Sequence, residues 1–176
     1  MPEIVIPDPS LVVLIGAAGA GKSTFAARHF DRSEILSSDR FRALIAGDEA
    51  DQTATRAAFG RLHRELTQRL AHRLMSVVDA TNVERAARRQ LLRRSIAAGM
   101  PAVAIVFDLP AEVVLARNAG RFERVVDEQV VRHHLARLRS TIDQPMGNLA
   151  SEGFNQEVIL RDPLDLDAVQ VVRLTG

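Results

Sequence analysis

The stretch that most restricts what this chain can fold into is Gly16-Ala17-Ala18-Gly19-Ala20-Gly21-Lys22-Ser23, set between LVVLI (11–15) and a helical pattern over 23–30. Five consecutive apolar residues bounded by turn formers are what a strand buried on both faces requires. The glycines free the backbone for a tight curl, and a strand that turns at once into a helix opens a βαβ unit. The rest of the chain repeats that alternation. Short strand-like runs at 34–38, 76–80, 103–107 and 157–160 are separated by helical patterns at 39–45, about 53–73, 83–98, 110–118 and around Val131, Leu135, Leu138 and Ile142. The expected fold class is α/β, a parallel sheet of about five strands flanked by helices, in one domain over 1–176. Residues 1–10, with Pro2, Pro7 and Pro9, read as an extended lead-in, and 169–174 as an added edge strand.

Composition removes several classes of chemistry. The chain has no cysteine, so disulfides, thiolate metal sites and a cysteine nucleophile are excluded. None of the five histidines stands at metal-ligand spacing, and His133-His134 read as surface residues of a helix. A net charge of +1 argues against a polyanion-coating protein, and seven phenylalanines with no Trp or Tyr argue against a base-stacking platform. No apolar run is long enough for a membrane span, and the start of the chain lacks a signal layout; a cytoplasmic location is expected. Lys22 is the only lysine among the 23 basic residues.

The glycine-rich segment fits GxxxxGK[ST] in the strand–loop–helix context this motif needs. Gly16, Gly19, Ala20 and Gly21 belong to a loop whose N–H groups turn inward on phosphate oxygens, aided by the positive end of the following helix. Lys22 supplies a point charge for the β- and γ-phosphates, the Ser23 hydroxyl a ligand for Mg²⁺, and Thr24 a contact to the α-phosphate. ATP with Mg²⁺ is the expected ligand pair.

Asp39 follows the second strand of this alternation, and ligand sites in parallel sheets lie beyond the carboxyl ends of the strands. A carboxylate there is positioned to accept the proton of an attacking hydroxyl; the alternative is a helix N-cap. Arg42, three residues on, shares its helical face and can clamp an anionic acceptor, or else is a solvated surface arginine. Asp79 ends the apolar run SVVD and reads as a second Mg²⁺ ligand. Thr81 and Asn82 read either as orienting that loop or reaching the acceptor, or as a plain helix cap. Arg117, Arg121 and Arg124 flank Asn118-Ala119-Gly120, a pattern for an arginine-rich lid over about 117–126 that neutralises a transferring phosphoryl group, or for surface arginines on a continuous helix. Arg85, Arg89 and Arg93 form an i, i+4 ladder that reads as a solvated helix face, the alternative being contact with a longer nucleic-acid strand. A GTPase base-reading NKxD element is absent, and a motor ATPase would be larger. The reading is a P-loop kinase-like fold with a lid.

Taken in order, LVVLIGAAGAGKSTFA, ILSSDRFR, DQTATRAAF, VVDATN and RNAGR resemble the N-terminal kinase domain of bacterial polynucleotide kinase-phosphatase, over roughly residues 10–174. The resemblance implies transfer of the ATP γ-phosphate to the 5′-OH end of single-stranded RNA or DNA, in nucleic-acid end repair. It implies Lys22 and Ser23 as phosphate and Mg²⁺ ligands, Asp39 as general base, and Arg42 on the first internucleotide phosphate. It further implies Arg117 and Arg121 on the donor phosphates and Gln52 beside the acceptor. Relatives of this kind continue into phosphatase and ligase-like domains, which suggests an excised module or a stand-alone kinase. The stretch 143–148 is longer than the family pattern. Two other functions stay open: a small-metabolite kinase of the gluconate, shikimate or adenylylsulfate type, and an ATP-binding regulatory module.

Overall fold

The computed structural model describes residues 2–46, 55–122, 124–144 and 149–175. In chain order the elements are β1 (Glu3–Asp8), β2 (Leu11–Ile15), α1 (Lys22–His29), β3 (Ile35–Ser37), α2 (Ser38–Ala46), α3 (Thr55–Ala71), β4 (Ser76–Asp79), α4 (Arg85–Ala97) and β5 (Ala102–Phe107). They continue with α5 (Ala111–Ala119), α6 (Glu128–Ile142), α7 (Leu149–Glu152), β6 (Gln156–Leu160), α8 (Pro163–Ala168) and β7 (Gln170–Thr175).

Five strands form one sheet in the order β3-β4-β2-β5-β6, every pair parallel. All residues of β2, β4 and β5 are buried, as the continuous apolar runs require of strands covered on both faces. Successive side chains alternate between the faces. Leu11, Val13 and Ile15 pack with Leu62, Leu66 and Leu70 of α3 and with Leu91 of α4. Val12 and Leu14 pack on the other side with Phe25 of α1 and Val114 of α5. Helix α6 lies across the boundary, giving Val131 to one core and Leu138 to the other.

The chain runs from β2 outward to β3, returns to β4, then crosses β2 to reach β5. The crevice at the carboxyl ends of β2 and its neighbours is where such sheets bind ligands. The 16–21 loop, Asp39, Asp79 and the α5–α6 connection all lie at that end.

The lead-in is corrected by the structure. Residues 3–8 form a strand, paired in parallel with β7 from Glu3↔Gln170 to Asp8↔Thr175. The 169–174 run is thus an edge strand, but of this second, two-stranded sheet. Ile4 and Ile6 are buried in the core shared with α1 while Glu3 and Val5 face out, so the alternation was present beneath the prolines. Arg173 of β7 fixes the pair to the turn before β3 through Glu34, with N···O distances of 2.9 and 2.7 Å, and lies over the Phe30 ring.

One arginine on the buried stripe of α4 holds the loop after β4. Arg88 is 1% exposed, pairs with Glu152 of α7 at 2.6 and 2.8 Å, and donates to the Asn82 and Val83 carbonyls. Asn82, with φ +50°, in turn donates to the Leu14 carbonyl, and Gly16 N–H to the Thr81 carbonyl. The loop is thereby tied to the start of the glycine-rich segment. Glu152→Leu strands the Arg88 charge in the core and is expected to cost about 3 kcal/mol, since breaking a buried pair leaves an uncompensated ion. Thermal unfolding followed by circular dichroism should show a midpoint lowered by about 10 °C. Arg88→Met in the same chain should recover most of that loss; an unchanged midpoint in Glu152→Leu would mean the pair stabilises nothing.

Candidate active site

The glycine-rich loop is packed so closely on α5 that glycine is required. Gly19 has φ +86°, and a Cβ there would sit 2.7 Å from the Val114 carbonyl oxygen and 2.9 Å from Asn118 Cβ. Gly21, at φ +94°, lies beside the Arg117 guanidinium. The loop curls so that Lys22 Nζ donates to the carbonyls of Gly16 (3.0 Å) and Ala17 (2.8 Å). Burial, with the Arg121 charge adding to it, lowers the Lys22 pKa to about 8 against the opposing Asp79 and Asp39 carboxylates.

Ser23 Oγ donates to Asp79 Oδ2 at 2.7 Å. Burial raises the Asp79 pKa, with Lys22 and the Ser23 hydrogen bond acting against it. A hydroxyl and a carboxylate side by side are the hard oxygen donors Mg²⁺ takes, its other positions being filled by phosphate and water. The residues present therefore fit that ion, and Ser23 and Asp79 are the side chains that would hold it.

A cleft of about 920 Å³ joins Lys22, Ser23 and Asp79 to Asp39, Arg42 and the arginines at 117, 121 and 124. Asp39 Oδ1 accepts from Arg42 Nη1 and Nη2, each at 2.8 Å, and from Arg124 Nη1 at 2.8 Å. The carboxylate is 30% exposed and lines this cleft. The helix-cap alternative for Asp39 finds another occupant, since Ser37 Oγ accepts from Arg40 N–H at 3.3 Å.

Of the three expected lid arginines, Arg117 lies in the last turn of α5 and lines the cleft beside Gly21. Arg121 lines it within electrostatic reach of Lys22 and Asp79, and Arg124 is joined to Asp39 instead. Thr24 lines the cleft too. Gln52 and the 145–148 part of the long segment lie outside the described residues.

Residues 11–145 match the family described as an AAA domain. The chain belongs to that family. Its fold is also that of solved kinase structures. A chain of the Pnkp1/Rnl/Hen1 RNA repair complex superposes with TM-score 0.65 at 24% identity, covering 77% of this chain and 45% of that one. A putative kinase from Chloroflexus aurantiacus gives TM-score 0.64 at 14% identity, covering 93% and 92%. A gluconokinase from Sinorhizobium meliloti gives 0.53 at 18%, covering 92% and 87%. This AAA domain thus spans less than half of the repair-complex chain it matches. No protein of curated function matches it. Among the described residues no helix is long and apolar enough to cross a membrane.

Two contributors escaped the sequence reading of this AAA domain. The adjacent histidines separate: His133 is exposed beside Glu84, whereas His134 lines the cleft, its Nδ1 3.5 Å from the Ala18 N–H. Burial, with Lys22 and His133 adding to it, lowers the His134 pKa to about 4, so the ring is neutral near pH 7. The surface expectation fails for His134 because α6 packs across the sheet boundary and turns this side chain toward the loop. Asn118 is buried and staples the connection between α5 and α6. Its Nδ2 donates to the Val126 carbonyl (2.7 Å), and its Oδ1 accepts from Val126 N–H (3.1 Å). Helical spacing from Val114 was the one signal that pointed inward at 118. Arg85, Arg89 and Arg93 are exposed, as read.

Proposed function

We propose that this chain is an ATP-dependent 5′-hydroxyl polynucleotide kinase. The observation that carries the reading is the shared cleft: Asp39 opens into the space that also holds Lys22, Ser23 and Asp79, with two arginines at its side. The Pnkp1/Rnl/Hen1 likeness supports the acceptor class.

The P-loop backbone and Lys22 bind the ATP phosphates, and Ser23 and Asp79 hold Mg²⁺. The metal, when bound, neutralises charge on the phosphates. Asp39 takes the proton of the acceptor 5′-hydroxyl as its oxygen bonds to the γ-phosphorus. The bond from that phosphorus to the β,γ-bridging oxygen breaks, and ADP departs. Arg117 and Arg121 stabilise the charge of the group in transit, and the lid keeps water out.

A small-metabolite kinase is the second reading, favoured by the near-complete mutual coverage with the gluconokinase. One acceptor panel separates the two. With γ-labelled ATP and Mg²⁺, label is expected on 5′-OH RNA or DNA oligonucleotides, with kcat/KM at least about 100-fold above gluconate or adenylylsulfate. Label on a metabolite and none on oligonucleotides would overturn the polynucleotide assignment. Label on no acceptor at any Mg²⁺ concentration would favour a regulatory ATP-binding module.

A further inference from the structure

Two side chains from different elements converge on the first turn of the glycine-rich loop. Lys22 of α1 sets Nζ against the Gly16 and Ala17 carbonyls, and His134 of α6 sets Nδ1 3.5 Å from the N–H of the next residue, Ala18. Both line the cleft. A backbone N–H can only donate, so the ring nitrogen that meets it is an acceptor, and in a neutral imidazole the proton then sits on Nε2. Burial, helped by the charges of Lys22, His133 and Arg124 and opposed by Glu84, keeps this ring neutral. The ring is thus within electrostatic reach both of Lys22 and of Arg124, which is joined to Asp39 at 2.8 Å. The end of a phosphate tail held by Lys22 and attacked by a hydroxyl that Asp39 deprotonates has to stand between those two points. Lys22, Arg117 and Arg121 already bring positive charge to that space. A neutral N–H adds a donor to phosphate without adding repulsion among the cations.

We propose that His134 is a ligand of the terminal phosphate of ATP. The Ala18 N–H fixes the tautomer through Nδ1, and the resulting Nε2–H donates to a γ-phosphate oxygen. The residue thereby selects a triphosphate over a diphosphate, whose tail ends short of it. The same loop amide and ring that meet in the ligand-free cleft would hold the phosphoryl group at the Asp39 end for transfer. This role rests on the ATP reading of the site and not on the identity of the acceptor, and its test needs no turnover.

Calorimetric titration of the full chain with ATP and with ADP, in EDTA at pH 7, reads the contact. His134→Ala should weaken ATP by about 10-fold and leave ADP within about twofold, since a hydrogen bond to a charged oxygen is lost only where that oxygen exists. Glutamine offers an oxygen to the Ala18 N–H and a neutral N–H to phosphate, so His134→Gln should keep ATP within about threefold of wild type. A long-range proton–nitrogen NMR spectrum of the histidine-labelled chain, with His134 assigned by the signals missing from His134→Gln, reads the tautomer. Ligand-free wild type should carry its proton on Nε2 and none on Nδ1; ATP should shift the Nε2 signal and ADP should leave it nearly in place. Equal weakening of ATP and ADP by His134→Ala would mean that the ring only shapes the loop, and would overturn the assignment. So would a proton on Nδ1, or a loss of ATP in His134→Gln as large as in His134→Ala. The spectrum is recorded on wild type and decides the matter even if His134→Ala unfolds. ATP-selective loss in His134→Ala, with no transfer to any 5′-OH oligonucleotide, would sink the polynucleotide assignment and keep the phosphate ligand. Oligonucleotide transfer together with ATP affinity indifferent to His134 would do the reverse, and a wild type that binds neither nucleotide would end both.

Discussion

Asp39→Asn is expected to lower phosphoryl transfer by about 10⁴-fold in kcat while leaving ATP affinity within about a factor of two. Asparagine keeps the size of the side chain but has no site that takes a proton at neutral pH, so the loss falls on the chemical step. The ATP contacts proposed above reside elsewhere, in the 16–24 loop and its lysine, which line the same cleft. Helix α2 should be unaffected, because Ser37 supplies the oxygen that accepts the Arg40 N–H. Steady-state transfer to a 5′-OH oligonucleotide, with ATP binding by calorimetry, checks both halves. Wild-type turnover in this variant would show that Asp39 does no proton transfer.

Lys22→Ala is expected to reduce kcat/KM by about 10³-fold, and Lys22→Arg to restore little of it. The Nζ lies within hydrogen-bond distance of two carbonyls of its own loop, and the residue is 7% exposed. Ala17 and Ala20 around it are fully buried, which leaves no room for a planar fork. The lowered pKa adds a pH dependence with a definite sign. The ligand-free lysine loses its proton as pH rises through about 8, whereas a bound triphosphate favours the charged form. ATP affinity should therefore fall between pH 7 and pH 9, with proton uptake on binding at the higher pH. Titration of ATP in EDTA at the two values measures this for the lysine alone. Recovery of wild-type kcat/KM by arginine would show that any cation suffices at this position.

Sequence alone determined whatever depends on near neighbours along the chain. The apolar run 11–15, the glycines and Lys22-Ser23 specify strand, loop and helix within about a dozen residues, since local periodicity and φ freedom leave few other conformations. The same rule carried Asp39 and Asp79 to the cleft: Asp79 ends β4 and Asp39 lies two residues beyond β3, and the carboxyl ends of parallel strands share one side. Tertiary structure decided what joins distant segments. Nothing near residues 3–8 announces a partner 167 residues later, nor does the RNAGRFER segment announce that Arg124 meets Asp39. Arg88 against Glu152, and His134 turned inward while His133 faces water, are of the same kind. A charged or polar side chain takes the partner that packing brings within about 3 Å; periodicity assigns it a face of its helix, while the partner waiting there is set only when the layers close.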